Sequence, residues 1–489
     1  MEYVSVAPAV FGYDASLDPS SLRADLPVMA RELATHLPGL GWNVTLVAAV
    51  PGSPSLAPGL AKHVSPLHAS TGDHHLEIDV FEGSLGASHA RLILLGTDPR
   101  PVTELDANLL LPPRDASRML QWTADFGTAV AALFQRLGLE PDVLHLHGDA
   151  MALAGLLPRP KRALVLSIYD PQRDAAFPLE DWHRATGNRE KESPDTPDAT
   201  TVSQAVVATA DLVILPSAGA KLQLKLTRRR LVLKEVLDEH PRVYGVLGGV
   251  ERGLWDPSTD PELPARFGWQ NLAGKARCRR TLQDKTGMAP RKDVLLAAAT
   301  LGQAPEDGAE QLVEAAQDIL DLDVQLAVYC PATAEPPDRL QRLAQEFPGR
   351  FALVSASAMR LADVLAGADV VLQSPSWAPW GRFVQLGMAF GAVPVVRATG
   401  GLDDLVVDWD PRTKTGGGFK FRRESTDELL AALLRARETF QTDPEGWKTM
   451  ITRNMRWIPD WEWTASQVHE LFLDVPEAQV KGAADRNAA

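Results

Sequence analysis

The sequence predicts an α/β protein made of two doubly wound, Rossmann-like domains that face a central cleft. Three observations point there. Apolar strand-like runs alternate with amphipathic helix-like runs along nearly the whole chain, the pattern of parallel sheets covered by helices on both faces. With 489 residues and 45% apolar composition, the chain is too long for one ordinary domain and rich enough to fill two cores. Between Asp369 and Asp404, ADVVLQSPSWAPWGRFVQLGMAFGAVPVVRATGGLDD compresses strand, turn, helix, strand, turn and helix start into one β-α-β-α unit.

The elements follow in order. YVSVAPAV, WNVTLVAAV, RLILLG, DVLHLHG, ALVLSIYD and DLVILP are apolar enough for buried strands. LRADLPVMARELATHL, ASRMLQWTADFGTAVAALFQRL, the short AMALAGLL and VSQAVVATA supply helices between them. The polar segment GNREKESPDTPDATT reads as an exposed loop. KLQLKLTRRRLVLKEVL reads as one basic amphipathic helix, with Arg228, Arg229 and Arg230 on a solvated face. The first domain is expected over 1–245, followed by a Gly- and Pro-punctuated crossing over 246–292. The second, 293–455, contains DVLLAAATL, AEQLVEAAQDIL, VQLAVYC, DRLQRLAQEF, FALVSA and MRLADVLAG, then the unit described above and GGGFKF. Ser425 to Glu428 reads S-T-D-E, a capping box in front of LLAALLRARETF. RWIPDWEWTASQVHELFL reads as a helix over 456–475 that packs back onto the body, and 476–489 as a tail that frays.

Composition narrows the function classes. The 49 basic and 63 acidic residues give a net charge of -14, which disfavours nucleic acid as a partner. Cys278 and Cys330 provide neither a disulfide framework nor metal-ligand spacing, so no metal and no cofactor is expected. MEYVSVAPAVFG lacks a signal-peptide pattern, and no apolar run approaches the roughly 18 residues of a membrane span. A cytoplasmic protein without a membrane partner is expected.

A ligand is expected at the carboxyl edge of the second sheet, where open α/β folds bind. There Thr399, Gly400, Gly401 and Leu402 can present successive backbone N–H groups at a helix start, an arrangement that suits phosphate. The same stretch resembles the donor-site segment of bacterial glycogen synthases and plant starch synthases, P-S-R-F-E-P-C-G-L-x-Q-L followed by V-P-V-V-R-x-T-G-G-L-x-D. VLGGVERGLWDPSTDP resembles the family's I-L-N-G-I-D-x-x-x-W-N-P-x-T-D-P, PDVLHLHG its P-D-V-V-H-x-H-D-W, and GGGFKF its G-N-G-F-x-F. The resemblance covers about Val4 to Leu473. It implies a GT-B fold, with retaining transfer of glucose from ADP-glucose to an α-1,4-glucan across the cleft.

Taken motif by motif, the resemblance implies the loss of the charged groups. The K-T-G-G-L loop aligns with Ala15 to Pro19, without a cation or paired glycines. In H-x-H-D-W-H, His145 and His147 remain, while the catalytic histidine falls on Ala150; T-I-H-N becomes Ser167-Ile168-Tyr169-Asp170. The diphosphate arginine of S-R-L-T-x-Q-K-G falls on Thr300, and Glu306 or Asp307 stands where its lysine would be. G-Y-x-E aligns with Ser355 to Ala358, and the glutamate of F-E-P-C-G falls on Ala378 or Pro379. A charge-assisted hydrogen bond contributes roughly 1.5 to 3 kcal/mol, so losing three cations should weaken diphosphate binding by at least about 4 kcal/mol, roughly a thousandfold.

No catalytic residue is therefore assigned. The first expectation is a glycogen synthase-like homologue without ADP-glucose:glucan transferase activity, kept for binding or regulation in glucan metabolism alongside a protein partner. Thr399, Gly400, Gly401, Leu402, Arg382 and His147 would then form a vestigial or altered nucleotide-sugar site, with nucleotide sugar and α-glucan bound weakly or not at all. The alternative is an active retaining transferase with a changed donor, in which Arg382 in the WAPWGRF turn binds phosphate. A third reading makes Trp377, Trp380, Trp457, Trp461 and Trp463 stacking platforms for sugar, against their use in core or interface packing.

Overall fold

A computed structural model describes residues 1–7, 25–51, 61–63, 65–71, 74–97, 116–171, 174–186, 200–227, 231, 233–301, 308–331, 335–378 and 380–475. The segment Ala15 to Pro19, most of the polar loop (187–199), Arg228 to Arg230, Glu306, Asp307, Pro379 and the 476–489 tail lie outside the described residues.

A 10-stranded N-terminal sheet contains β1 (Glu2–Ala7), β2 (Asn43–Pro51), β3 (Ala61–Lys62), β4 (Leu67–Thr71), β5 (His74–Ser84), β6 (Arg91–Thr97), β7 (Val143–His147), β8 (Ala163–Ser167), β9 (Leu212–Leu215) and β10 (Val243–Gly245). Its order is β10-β9-β8-β7-β1-β2-β6-β5-β3, with β4 also paired to β5. A 6-stranded C-terminal sheet contains β11 (Leu296–Thr300), β12 (Gln325–Cys330), β13 (Phe351–Ser355), β14 (Val370–Gln373), β15 (Val393–Arg397) and β16 (Phe419–Phe421), in the order β13-β12-β11-β14-β15-β16. The helices are α1 (Asp25–His36), α2 (Ala116–Leu137), α3 (Leu179–Thr186), α4 (Val202–Thr209), α5 (Ala218–Leu226), α6 (Lys234–Glu239), α7 (Ala273–Thr286), α8 (Ala309–Asp321), α9 (Asp338–Glu346), α10 (Leu361–Gly367), α11 (Arg382–Ala389), α12 (Gly401–Leu405), α13 (Thr426–Thr442), α14 (Pro444–Trp457) and α15 (Trp461–Asp474).

The two sheets and their helices form a GT-B fold of two Rossmann-like units facing a cleft. In the C-terminal sheet every pair is parallel, and LAAAT and QLAVYC are buried at every position, as a sheet covered on both faces requires. Strand order reverses between β1 and β7 in the first sheet and between β11 and β14 in the second. Such switch points are where open α/β sheets take ligands at their carboxyl ends.

Four sequence expectations are corrected. The first sheet is mixed: β4 and β5 form an antiparallel hairpin, and β5 pairs antiparallel with β6. Strand β4 alternates buried and exposed residues, the period-two signature of a sheet with one wet face, and it was missed beside the continuous apolar runs. KLQLKLTRRRLVLKEVL is two helices, because α5 stops at Thr227, whose backbone is extended (φ -65°, ψ 138°). Ser425 makes no side-chain cap; the Glu428 carboxylate instead accepts from the Arg422 and Arg423 amides at 3.1 and 2.8 Å. RWIPDWEWTASQVHELFL breaks around Pro459, so that Trp457 ends α14 and Trp461 begins α15. Asp443 and Pro444, an N-cap followed by proline at N1, start α14, a helix the sequence reading passed over.

Helix α15 returns to the N-terminal unit. Its Phe472 is fully buried with Tyr3 and Trp42, at ring separations of 5.5 and 5.6 Å, and Trp42 Nε1 donates to His469 Nδ1 at 2.9 Å. Just before α15, Val250 N donates to Pro459 O at 2.9 Å, so the two interdomain crossings are bonded to each other.

Candidate functional site

Among the described residues, the switch point of the second sheet holds a small cavity. The cavity between Thr300, Gly308, Leu372, Gln373 and Ser374 measures about 10 Å³, space for about one water. Thr300, where the resemblance implies the diphosphate arginine, is buried there. Ser374 Oγ hydrogen-bonds Gln311 Oε1 beside it.

The Thr-Gly-Gly turn between β15 and α12 is docked on the other domain. Gln223 on α5 reaches across, and its Oε1 accepts from Thr399 Oγ1 at 2.8 Å and from Gly400 N at 3.0 Å. Its Nε2 donates to Ser376 O at 3.0 Å. Gly401 N donates to Ala378 O at 2.7 Å, and Leu402 N to Thr399 O at 3.0 Å. The Gly400, Gly401 and Leu402 amides thus have acceptors from the chain itself. One residue pair makes the approach possible: a Cβ on Gly219 would lie 2.2 Å from Gly400 O, and Gly219 N donates to Asp404 Oδ2 at 2.7 Å. Gly400 has φ +49°, and a Cβ there would meet Ala378 O at 2.2 Å. Burial raises the Asp404 carboxyl above its ordinary range, against the lowering effect of the Gly219 hydrogen bond.

The turn before α11 enters the N-terminal core. Trp380 is 1% exposed, with its ring edge-on to Tyr169 at 5.3 Å and to Trp461 at 6.2 Å. Trp377 packs against the core on the other face of the same sheet. Burying an indole removes roughly 150 to 250 Å² from water, so Trp380 joins the domains by packing as well as filling space between them. Among the described residues its Nε1 has no acceptor.

Arg382, the first residue of α11, does not face an open site. Its Nη2 donates to Glu251 Oε1 and Oε2 at 2.8 and 2.6 Å, and both side chains are more than nine-tenths buried. Arg31 on α1 approaches the same carboxylate at 3.3 Å, so that one glutamate of the crossing ties α11 to α1. Gln385, one turn on, donates to Gly248 O at 2.7 Å.

His147 is also taken up. Its Nε2 pairs with Ser5 Oγ at 3.0 Å and its Nδ1 with Tyr169 Oη at 2.8 Å; His145 is bonded to Tyr3 Oη and Ser167 Oγ, each at 2.8 Å. Both rings are fully buried. Burial pulls His147 down to about 3 and His145 well below its ordinary value, so both are neutral at physiological pH. Ala150, where the resemblance implies a catalytic histidine, is buried. Nearby, burial raises Asp149 to about 6 and Asp174 well above the carboxylate range, with Asp170 adding to both; backbone amides at Ala175, Tyr169 and Asp170 hold these carboxylates.

Of the six expected site residues, Thr399, Gly400, Gly401 and Leu402 lie together on the clasp with α5. The Arg382 guanidinium turns to Glu251, and His147 is joined to the turn before α11 through Tyr169 and Trp380. Gln223, Gly219 and Glu251 were not picked out as site residues; only Glu251 carried a signal, at the aspartate of the N-G-I-D run. Among the described residues, no group of three or more His, Cys, Asp or Glu is arranged for a metal, and no helix is long and apolar enough to cross a membrane.

No protein-family model matches the chain. Over 372 residues it is 30% identical to a glycogen synthase of Anaeromyxobacter dehalogenans, covering 70% of this chain and 75% of the relative. Over 368 residues it is 28% identical to a glycogen synthase of Syntrophotalea carbinolica, covering 72% and 75%. The catalytic domain of starch synthase IV from Arabidopsis thaliana, bound to ADP and acarbose, superposes with a TM-score of 0.80 at 18% identity, over 96% of this chain and 98% of that one. A sucrose-phosphate synthase of Thermosynechococcus elongatus shares the fold at a TM-score of 0.58 and 16% identity, over 97% of this chain and 98% of that one. With the fold, the motif runs and the identities in agreement, the chain belongs to the glycogen synthase family.

Proposed function

We propose that this chain is a non-catalytic member of its family, with a donor cleft clasped shut by its own side chains, and that it serves as a binding or regulatory protein in glucan metabolism. The observation that carries this is the occupation of the Thr-Gly-Gly turn: Gln223 Oε1 and Ala378 O accept the Gly400 and Gly401 amides. The replacements at Thr300 and Ala150 and the pairing of Arg382 with Glu251 support the same reading, since each removes a group that would meet a diphosphate or a proton in transfer. In this role the chain's partner is an α-glucan, or a protein that works on one.

Calorimetric titration with ADP-glucose, paired with ADP release in the presence of glycogen, tests the proposal. Neither heat of binding nor turnover is expected from folded, monodisperse protein. Micromolar binding with steady ADP release would overturn it and favour a live transferase with an altered donor site.

A further inference from the structure

We propose that His36, Glu32, Arg31, Glu251 and Arg382 form a charge relay through which protonation of His36 tightens the tie between the two domains. It does not rest on the non-catalytic reading above. The five groups alternate in sign and lead inwards from the surface. His36 Nε2 lies 3.7 Å from Glu32 Oε2, one turn back on α1. The other oxygen of Glu32 takes Arg31, whose Nη2 and Nε approach Oε1 at 2.7 and 2.9 Å. The same Nη2 reaches Glu251 Oε1 at 3.3 Å, and Glu251 Oε2 binds Arg382 of α11 at 2.6 Å. Side-chain exposure drops from 33% at His36 to 9 and 7% at Glu251 and Arg382.

The shared nitrogen couples the two ends. Arg31 Nη2 stands between two carboxylates, nearer to Glu32 than to Glu251. Imidazole is the side chain that changes charge between pH 5 and 8. A positive His36 draws on the Glu32 carboxylate, weakens its hold on Arg31 and lets the guanidinium move towards Glu251. Because Glu251 is already bonded to the C-terminal unit through Arg382, a closer Arg31 joins α1 to α11. Charges buried in this way are screened little by salt, so the shift is felt more strongly than one at the surface. Against the raising effect of burial, His36 and Arg31 hold the Glu32 carboxyl below its ordinary range, which keeps it ionised.

Other charged groups near α1 have partners elsewhere or none in the relay. Of the elements packed on α1, β2 and the turns 37–40 and 86–88 carry no charged residue. Strand β1 carries Glu2, which accepts from Asn43 Nδ2, and α15 carries Glu462, His469, Glu470 and Asp474, of which His469 accepts from Trp42 Nε1. Arg252, beside Glu251, turns to Asp460. Among the described residues, none of these is ion-paired to His36, Glu32 or Arg31.

The test is hydrogen–deuterium exchange of the full chain at pH 6 and pH 8, corrected for intrinsic rates, for wild type, His36→Gln and Glu32→Gln. In wild type the α11 amides should exchange about twofold more slowly at pH 6 than at pH 8, the effect of one weak ion pair. Both variants should lose this difference, His36→Gln by removing the titrating group and Glu32→Gln by cutting its link to Arg31. Helix α9, packed on the edge strand β13 of the second sheet, serves as the reference and should behave alike in all three proteins. A wild type without the pH difference in α11, a difference of opposite sign, or variants that keep it would overturn the proposal.

Discussion

His147 is fully buried, and this desolvation sets a pH dependence. Its folded value of about 3 lies below the ordinary 6.5, so the unfolded chain binds more protons between those limits. Its stabilising contribution is therefore complete above pH 6.5 and is lost as pH falls towards 3. The His147→Gln variant should show a shallower loss of melting temperature than wild type between pH 6.5 and 4; equal slopes would exclude this origin. Glu251 makes a second residue-scale prediction. Glu251→Ala removes a buried carboxylate shared by Arg382 and Arg31 and should lower stability in urea titrations, and Glu251→Leu with Arg382→Leu should recover much of the loss. Alternation along β7 already put His145 and His147 on one face. Their partners Tyr3 and Ser5 lie 142 residues away, and no local pattern connects such positions.

At the scale of elements, continuous apolar runs were easy to place, because a strand buried on both faces has no other reading among α/β repeats. Elements set by a single competing contact were not. Ser425 looks like a cap, yet Glu428 bonds the preceding amides directly. Ser425→Ala should thus change stability by less than about 0.5 kcal/mol, while Glu428→Ala should lower the melting temperature measurably. Helix α15 was legible as packing back, whereas the Pro459 break that separates it from α14 lies inside a run that reads as one helix. Phe472 on that helix is buried against Tyr3 and Trp42 of the first domain. Phe472→Ala should cost about 3 to 5 kcal/mol and loosen the N-terminal unit, seen as faster amide exchange in β1.

For the whole molecule, the GT-B fold could be read from the sequence, whereas the contacts between its two units could not. Those contacts depend on Gln223, Gly219, Trp380 and Glu251, distant in sequence, each ordinary in its own segment. Solution scattering should give the same radius of gyration with and without ADP-glucose. Gln223→Ala combined with Asp404→Ala, which removes both polar ties from α5 to the turn, should increase that radius. An unchanged radius in the double variant would mean that Trp380 packing alone holds the domains.

Gln223 also behaves as a tethered competitor. It is carried on the same polypeptide as the Gly400 amide and the Thr399 hydroxyl it accepts from, so their encounter is intramolecular. A dissolved phosphoryl compound must outcompete a neighbour that never diffuses away, and dilution does not weaken that neighbour. Gln223→Ala alone should expose whatever anion affinity the turn has kept, much as removing a built-in inhibitor exposes an enzyme's site.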